Sequence, residues 1–278
     1  MSSMEISQQN ITGKPLVSII TIVLNGEKII RRTMDSVFRQ SYKNVEYIVI
    51  DGGSSDRTVS VIKEYESQLA FWRSEPDKGI SDAFNKGIRR AKGEIIGLIN
   101  AGDWYAPDAL QQVVNTFVAE REVGVVCGAL QFWKGTSKEY RCNSEPHLLE
   151  REMTVTHPSC FILSELYTKA GFYSDRYNYA MDYELLLRLK RQGAKFVSLD
   201  SILANMQHDG VSEANWKAAL RETHRARTEI LGCSFFSSIW YYYFLVVKRW
   251  SRIQLERLGM DRILHFYKNR IALVRKTK

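Results

Sequence analysis

Glu94-Ile-Ile-Gly-Leu-Ile-Asn-Ala-Gly-Asp103 is the stretch that decides the fold. Ile95, Ile96, Leu98 and Ile99 make a nearly unbroken apolar run, the pattern of a strand buried on both faces, and the run stops at Asn100-Ala101-Gly102-Asp103. Small residues and one carboxylate at the C-terminal end of such a strand stand where open α/β sheets carry their ligands. A carboxylate buried there is costly unless it meets a cation or a hydrogen-bond donor. The competing reading is an ordinary turn, with Asp103 as the cap of a helix begun near Pro107-Asp108.

The same pattern repeats upstream. Leu16–Leu24 reads as a central strand ending at Asn25-Gly26, after which Ile29, Ile30, Met34, Val37 and Phe38 recur at helical spacing. Val45–Ile50 is a second strand, closed by Asp51-Gly52-Gly53-Ser54-Ser55-Asp56. A helix over Thr58–Leu69, a short strand at Phe71–Arg73, the turn Glu75-Pro76-Asp77-Lys78-Gly79 and a helix over Ile80–Lys92 lead back to the opening strand. This alternation implies a doubly wound α/β fold with a mixed, mostly parallel sheet. Downstream, Val125–Phe132 and Cys160–Leu163 read as strands, Asp182–Arg191 as a helix, Phe196–Leu199 and Ile202–Met206 as two short strands, and 213–231 as a charged helix.

Charge is unevenly distributed. Residues 216–278 carry 14 Lys/Arg against 4 Asp/Glu, so this segment is +10 while the remainder is −2. Such a tail suits nucleic acid or an anionic membrane surface. Cys127, Cys142, Cys160 and Cys233 show no Cys-x-x-Cys spacing and read as free thiols of a reducing compartment. Residues 1–14 lack the apolar core of a signal peptide, so a cytoplasmic location is expected. Phe235–Val247 is short for a membrane span and is interrupted by Ser237-Ser238.

Three polar strand ends, Asn25, Asp51 and Asp103, converge on one edge of a parallel sheet. Asp51 ends an apolar strand, where a carboxylate can accept hydrogen bonds from a base or ribose; Asp56 reads as a helix cap. Val17-Ser-Ile-Ile with Asn25, Tyr47-Ile-Val-Ile-Asp51-Gly-Gly-Ser-Ser-Asp56-Arg-Thr, Asp77-Lys-Gly-Ile-Ser-Asp-Ala-Phe-Asn85-Lys-Gly and Asn100-Ala-Gly-Asp103 resemble family-2 glycosyltransferases of GT-A fold. Ser74–Asp82 is further similar to members that build bacterial exopolysaccharide.

The resemblance implies inverting transfer of a sugar from a nucleotide-diphosphate donor, UDP favoured, with no organic cofactor. It implies a domain over residues 15–212 (nucleotide half about 15–105, acceptor half about 106–212), preceded by a flexible N-terminus over 1–14 and followed by a helical, basic-aromatic extension over 213–278. It places Asn25, Asp51, Asp77, Asn85, Asn100 and Asp103 on the nucleotide-sugar side. Asp103 matches the last acid of the Asp-x-Asp-type motif and implies Mn²⁺ or Mg²⁺. Asn100 and Gly102 stand where many relatives are acidic, and Ile22-Val23-Leu24 where many have Pro-Thr-Tyr. A single carboxylate holds such an ion weakly unless phosphate oxygens and water complete its shell. Asp182, opening the helix Asp182–Arg191, falls at the general-base position, with a plain helix cap as the bland alternative. Glu184 is the nearby alternative base or a solvated residue. His157 and His208 fall at recurrent histidines of the family, His208 as a metal ligand or diphosphate donor assisted by Ser212.

The tail Phe235–Trp250 with Arg252, Arg257, Arg262 and Lys268 suits the inner face of the cell membrane, which fits a polyprenyl-diphosphate-linked saccharide acceptor. The alternative is a helical hairpin packed on the domain or on a second copy in a homodimer. Other classes weighed are a nucleotidyltransferase, which lacks its Gly-rich basic loop here, a sugar-nucleotide binder without turnover, and a basic nucleic-acid-binding protein, whose charge should line a groove rather than a tail.

Overall fold

The apolar runs become the centre of one mixed sheet. In a computed structural model describing residues 11, 13–207, 215–232, 235–257 and 276–277, β1 (Val17–Val23), β2 (Val45–Asp51), β3 (Phe71–Ser74) and β4 (Ile95–Asn100) run parallel in the spatial order β4-β1-β2-β3. Every residue of β1 is buried, so both of its faces are covered. The crossovers contain α1 (Ile30–Phe38), α2 (Thr58–Glu64) and α3 (Ile80–Ile88), each shorter than or equal to its apolar repeat in the sequence. Helix α1 buries Ile30, Thr33, Met34 and Val37, one face at helical spacing. Val23 pairs with Asp51, Asp51 with Ser74 and Ile22 with Asn100, so the polar strand ends stand in one row.

The second half reverses the sheet. It contributes β5 (Trp104–Tyr105), α4 (Ala109–Ala119), β6 (Val123–Lys134), β7 (Ser137–Cys142), β8 (Cys160–Leu163), α5 (Ser164–Ala170), α6 (Met181–Arg191) and β9 (Lys195–Gln207). Strand β8 is antiparallel to both β4 and β6, and β9 is parallel to β6 and antiparallel to β5. The two short strands expected over 196–206 are one strand; a register shift between Cys127 and Ala129 of β6 absorbs the polar interruption around Asp200. A helix does follow Pro107-Asp108, but Asp108 holds its N-cap position and β5 intervenes, so Asp103 caps no helix. Cys127, Cys142 and Cys160 are buried and in no disulfide among the described residues, and Cys233 lies outside those residues.

The charged helix expected over 213–231 is α7 (Trp216–Leu231), and it packs on the body of the protein. Ala226 is fully buried, Glu229 pairs with Arg176 at 2.8 Å and accepts from the Tyr177 hydroxyl at 2.9 Å, and Arg227 donates to the carbonyls of Glu150 and Arg151. Helix α8 (Phe235–Arg257) leans on α7, with Tyr242 beside His224 at 5.5 Å and Tyr241 under the Arg227 guanidinium at 4.2 Å. The hairpin alternative thus describes how these two helices are held. The outer face of α8 is uncovered: Trp240, Tyr243, Phe244, Val247 and Trp250 are 56–77 % exposed. Lys276–Thr277 pairs with β7 as β10. Among the described residues no helix is long and apolar enough to cross a membrane.

Candidate active site

The turn after β2 is organised around Asp51, which is fully buried. One carboxylate oxygen accepts from the N–H groups of Gly53 (3.2 Å) and Ser54 (2.9 Å) and from the Ser74 hydroxyl (2.6 Å); the other accepts from the Ser54 hydroxyl. Ser54 Oγ in turn accepts from Asn25 N at 2.7 Å, and Asn25 Oδ1 accepts from Ser55 N at 2.9 Å. Asn25 reaches this position in the left-handed region, φ 51°, which Asn tolerates better than most residues. Asp56 accepts from Thr58 N at 2.9 Å and Glu27 N at 3.1 Å, tying α2 to the end of β1. Asp77 closes over this turn. A Cβ on Gly52 would meet its Oδ2 at 2.3 Å, so any larger residue there would push the Asp77 carboxylate aside. Asp51 is thus enclosed beneath the turn, with exposed Asn25 and half-buried Asp77 on either side of it.

The β4 tip stands beside it. Thr33 of α1 accepts from Gly102 N at 2.9 Å and donates to the Asp103 carbonyl at 2.6 Å, while Arg32 donates to the Gly102 carbonyl and lies 3.9 Å over the Trp104 ring. Gly102 has φ +101°, a conformation costly for any residue with a side chain. Asp103 is 6 % exposed, and burial pushes its carboxyl up to about 7, with the Arg32 charge drawing it partly back. Burial without a full counter-charge is the state a bound cation would relieve. Among the described residues no cluster of three or more His, Cys, Asp or Glu could hold a metal ion.

Strand β8 brings the second half of the chain to this tip. Gly97 of β4 pairs antiparallel with Phe161, so the chain before β8, carrying His157 and Pro158, runs toward Asn100. His157 Nε2 hydrogen-bonds the Tyr173 hydroxyl at 2.9 Å, and its ring lies 5.4 Å from Phe84. Asp182 opens α6, accepting from Tyr183 N at 2.7 Å. Burial raises the Asp182 carboxyl and the His157 charge opposes that rise; burial lowers His157 and Asp182 opposes that in turn.

Two expectations change. Glu184 is neither solvated nor free to act as a base: it is 7 % exposed and both oxygens accept from Arg188 at 2.8 Å, because a spacing of four puts the pair on one face. Arg188 also donates to the carbonyls of Ala170, Gly171 and Phe172. Asn85 is likewise committed elsewhere, its amide donating to Tyr173 O at 2.8 Å and accepting from Tyr173 N at 3.0 Å. It holds Tyr173, the partner of His157. His208 and Ser212 lie outside the described residues.

A profile of the family described as "Glycosyl transferase family 2" matches residues 18–182, from β1 to the first turn of α6. The chain belongs to that family. An uncharacterized glycosyltransferase of Mycobacterium tuberculosis, Rv1514c, is 34 % identical over 193 residues, covering 64 % of this chain and 70 % of the relative. Two solved structures share the fold. One is the mannosyltransferase PcManGT from Pyrobaculum calidifontis in complex with GDP-Man and Mn²⁺, with a TM-score of 0.62 at 19 % identity, over 80 % of this chain and 66 % of that one. The other is S. aureus TarS (residues 1–349) in complex with UDP-GlcNAc, with a TM-score of 0.61 at 14 % identity, over 93 % and 76 %. The sheet is thus the GT-A-like sheet that the motifs implied.

In this family-2 glycosyltransferase Arg32, Thr33, Ser54, Ser74 and Tyr173 support the candidate groups, and no sequence periodicity singled them out. The geometry also sharpens a test of Asp51. Asp51→Ala is expected to raise the donor dissociation constant in calorimetry and also to lower the melting temperature, since each buried donor left unpaired costs about 1–3 kcal/mol. Asp51→Asn, which keeps one carbonyl acceptor, should lose less stability. Unchanged donor affinity in both variants would reject a base or ribose contact.

Proposed function

We propose that this glycosyltransferase moves a sugar from a nucleotide-diphosphate donor, UDP first, to a hydroxyl of a lipid-linked saccharide, inverting the anomeric carbon, in cell-surface polysaccharide synthesis. The observation that carries the reading is the antiparallel pairing of β8 with β4, which directs His157 toward the β4 tip while Asp182 interacts electrostatically with His157. This supports reading the half-buried Asp182 as a base acting near the β4 tip.

In the proposed step the nucleotide rests between Asn25 and Asp77, on the turn that the buried Asp51 carboxylate holds in shape, with the diphosphate at Asn100–Asp103. Asp182 takes the acceptor hydroxyl proton, the acceptor oxygen bonds the anomeric carbon, and the carbon–oxygen bond to the diphosphate breaks with its electron pair. One displacement inverts the centre. Asp103 would hold Mn²⁺ or Mg²⁺ together with donor phosphate oxygens and water, and the ion would supply positive charge against the leaving diphosphate. PcManGT with GDP-Man and Mn²⁺, and TarS with UDP-GlcNAc, support this donor class. Calorimetry with a panel of UDP- and GDP-sugars, with and without Mn²⁺, tests it, and the anomeric configuration of the product by NMR tests inversion. Binding without turnover on any saccharide acceptor would reduce the protein to a sugar-nucleotide binder.

The lipid-linked acceptor and a peripheral position on the cytoplasmic membrane face rest on α8. Its bare residues recur at spacings of three and four, an apolar stripe rich in Trp and Tyr, on a segment of +10 charge. Full-length protein is expected to bind anionic liposomes, with a salt-sensitive part worth about 1 kcal/mol per basic residue near the surface and a salt-resistant apolar part. Trp240→Ser with Phe244→Ser should remove the salt-resistant part. Indifference to anionic vesicles, with a concentration-dependent dimer in sedimentation, would make the stripe a contact between copies.

A further inference from the structure

Helix α6 has no cap of its own. Ala180 stands at its N-cap without a side-chain oxygen, and Asp182 turns back onto the N–H of Tyr183. The backbone N–H groups entering the helix are instead satisfied from the C-terminal extension. One oxygen of the Glu222 carboxylate on α7 accepts from Asn178 N at 3.0 Å, and the other accepts from Tyr179 N at 2.7 Å and Ala180 N at 2.9 Å. A carboxylate is the natural group at this end, since the aligned peptide dipoles leave it positive and its N–H groups lack helical partners.

We propose that Glu222 is a positioning residue for transfer: it fixes the entry of α6 and thereby the place of the Asp182 carboxylate. The extension is then a working part of the active site as well as a membrane-side element. This rests on the reading of Asp182 as the base. The lever is short, because the three N–H groups held by Glu222 lie two to four residues before Asp182, and Ala180 O also accepts the first helical bond from Glu184 N at 2.9 Å. Displacement of a catalytic group by about 1 Å can cut a rate by as much as a hundredfold. Glu229 lies two turns further along the same face of α7, holding Arg176 and the Tyr177 hydroxyl. It docks the helix without touching the entry of α6, and so provides the control.

The experiment compares Glu222→Ala, Glu222→Gln, Glu229→Ala, Asp182→Asn and the double variant Glu222→Ala/Asp182→Asn in the full chain, measuring kcat, donor dissociation constant and melting temperature. Glu222→Ala is expected to lower kcat about ten- to a hundredfold with donor affinity unchanged. Glu222→Gln, which keeps one carbonyl acceptor, should fall between it and wild type, and it carries the test if the alanine variant does not fold. Glu229→Ala should lose melting temperature while keeping kcat near wild type. The double variant should be no slower than Asp182→Asn alone, as expected when one residue acts through the other. Full kcat in Glu222→Ala, an equal kcat loss in Glu229→Ala, or a further loss in the double variant each overturns the proposal. Near-normal turnover of Asp182→Asn would remove the base reading and the role of Glu222 with it; a dead Asp182→Asn beside an unimpaired Glu222→Ala would remove only the latter.

Discussion

Asp103→Ala is expected to abolish sugar transfer, and Asp103→Asn to melt at a higher temperature than wild type at pH 8, without metal, but not at pH 4. The second effect follows from the titration of a buried carboxyl. Burial raises Asp103 from 3.8 to about 7 in the folded protein, so the folded chain binds this proton more tightly than the unfolded chain. Below about pH 4 both states are protonated and the group contributes no difference. As pH rises from about 4 to 7 the unfolded chain ionises first, and folding loses free energy on the order of 4 kcal/mol. The neutral Asn escapes that loss. For a chain of this size the variant should gain on the order of 10 °C, at roughly 2–4 °C per kcal/mol. Mn²⁺ with UDP should stabilise wild type and not the variant, since only the carboxylate gains from the cation. The readout is the wild-type-minus-variant difference in melting temperature from pH 4 to 8, with and without Mn²⁺ and UDP. A difference independent of pH would mean that Asp103 is solvated, and activity of Asp103→Ala in a metal-depleted assay would argue against a metal role.

The parallel part of the sheet was legible in the sequence because its information is local. Apolar runs of five to seven residues, each stopped by Asn or Asp, mark buried strands and their ends, and the parallel order of β4, β1, β2 and β3 brings those ends together. The long-range side-chain contacts were not legible, because they are not periodic. Arg32 reaches the Gly102 carbonyl across 70 residues and Glu222 reaches Asn178 across 44, and neither contact leaves a trace in either chain segment. Strand β9 looked like two because the polar stretch around Asp200 reads as a turn, whereas pairing with β6 carries it through as an irregularity. Glu184 illustrates an ambiguity of another kind. An acid two residues after a candidate base is equally consistent with chemistry and with an i, i+4 ion pair, and the half-buried Arg188 decides for the pair. Breaking such a pair leaves an uncompensated charge and costs about 3–5 kcal/mol. Loss of activity in a Glu184 variant would therefore report folding before it reported catalysis.

That assignment bears directly on Asp182. Asp182→Asn is expected to leave donor affinity unchanged while reducing turnover by roughly a hundredfold to ten-thousandfold, the range for loss of a general base. Asn keeps the size of the side chain and can still accept from Tyr183 N, so the entry to α6 should survive; the substitution removes the charge and the ability to take a proton. A melting temperature near wild type would confirm that the comparison concerns chemistry. The pH profile supplies an independent measurement. Burial raises the Asp182 carboxyl above its ordinary 3.8, so the acidic limb of kcat/KM should lie above the range of an exposed carboxylate and vanish in the variant. His157 opposes that rise, so His157→Gln should move the limb to higher pH, while loss of the Tyr173 contact lowers kcat modestly. The two groups titrate as a pair, and the limb belongs to the pair rather than to either residue. Near-normal turnover of Asp182→Asn on its true acceptor would place the base elsewhere. Glu184 is not the next candidate, because Arg188 holds both of its oxygens. His157, lowered by burial and therefore favoured in its neutral, proton-accepting form, is the group to substitute next.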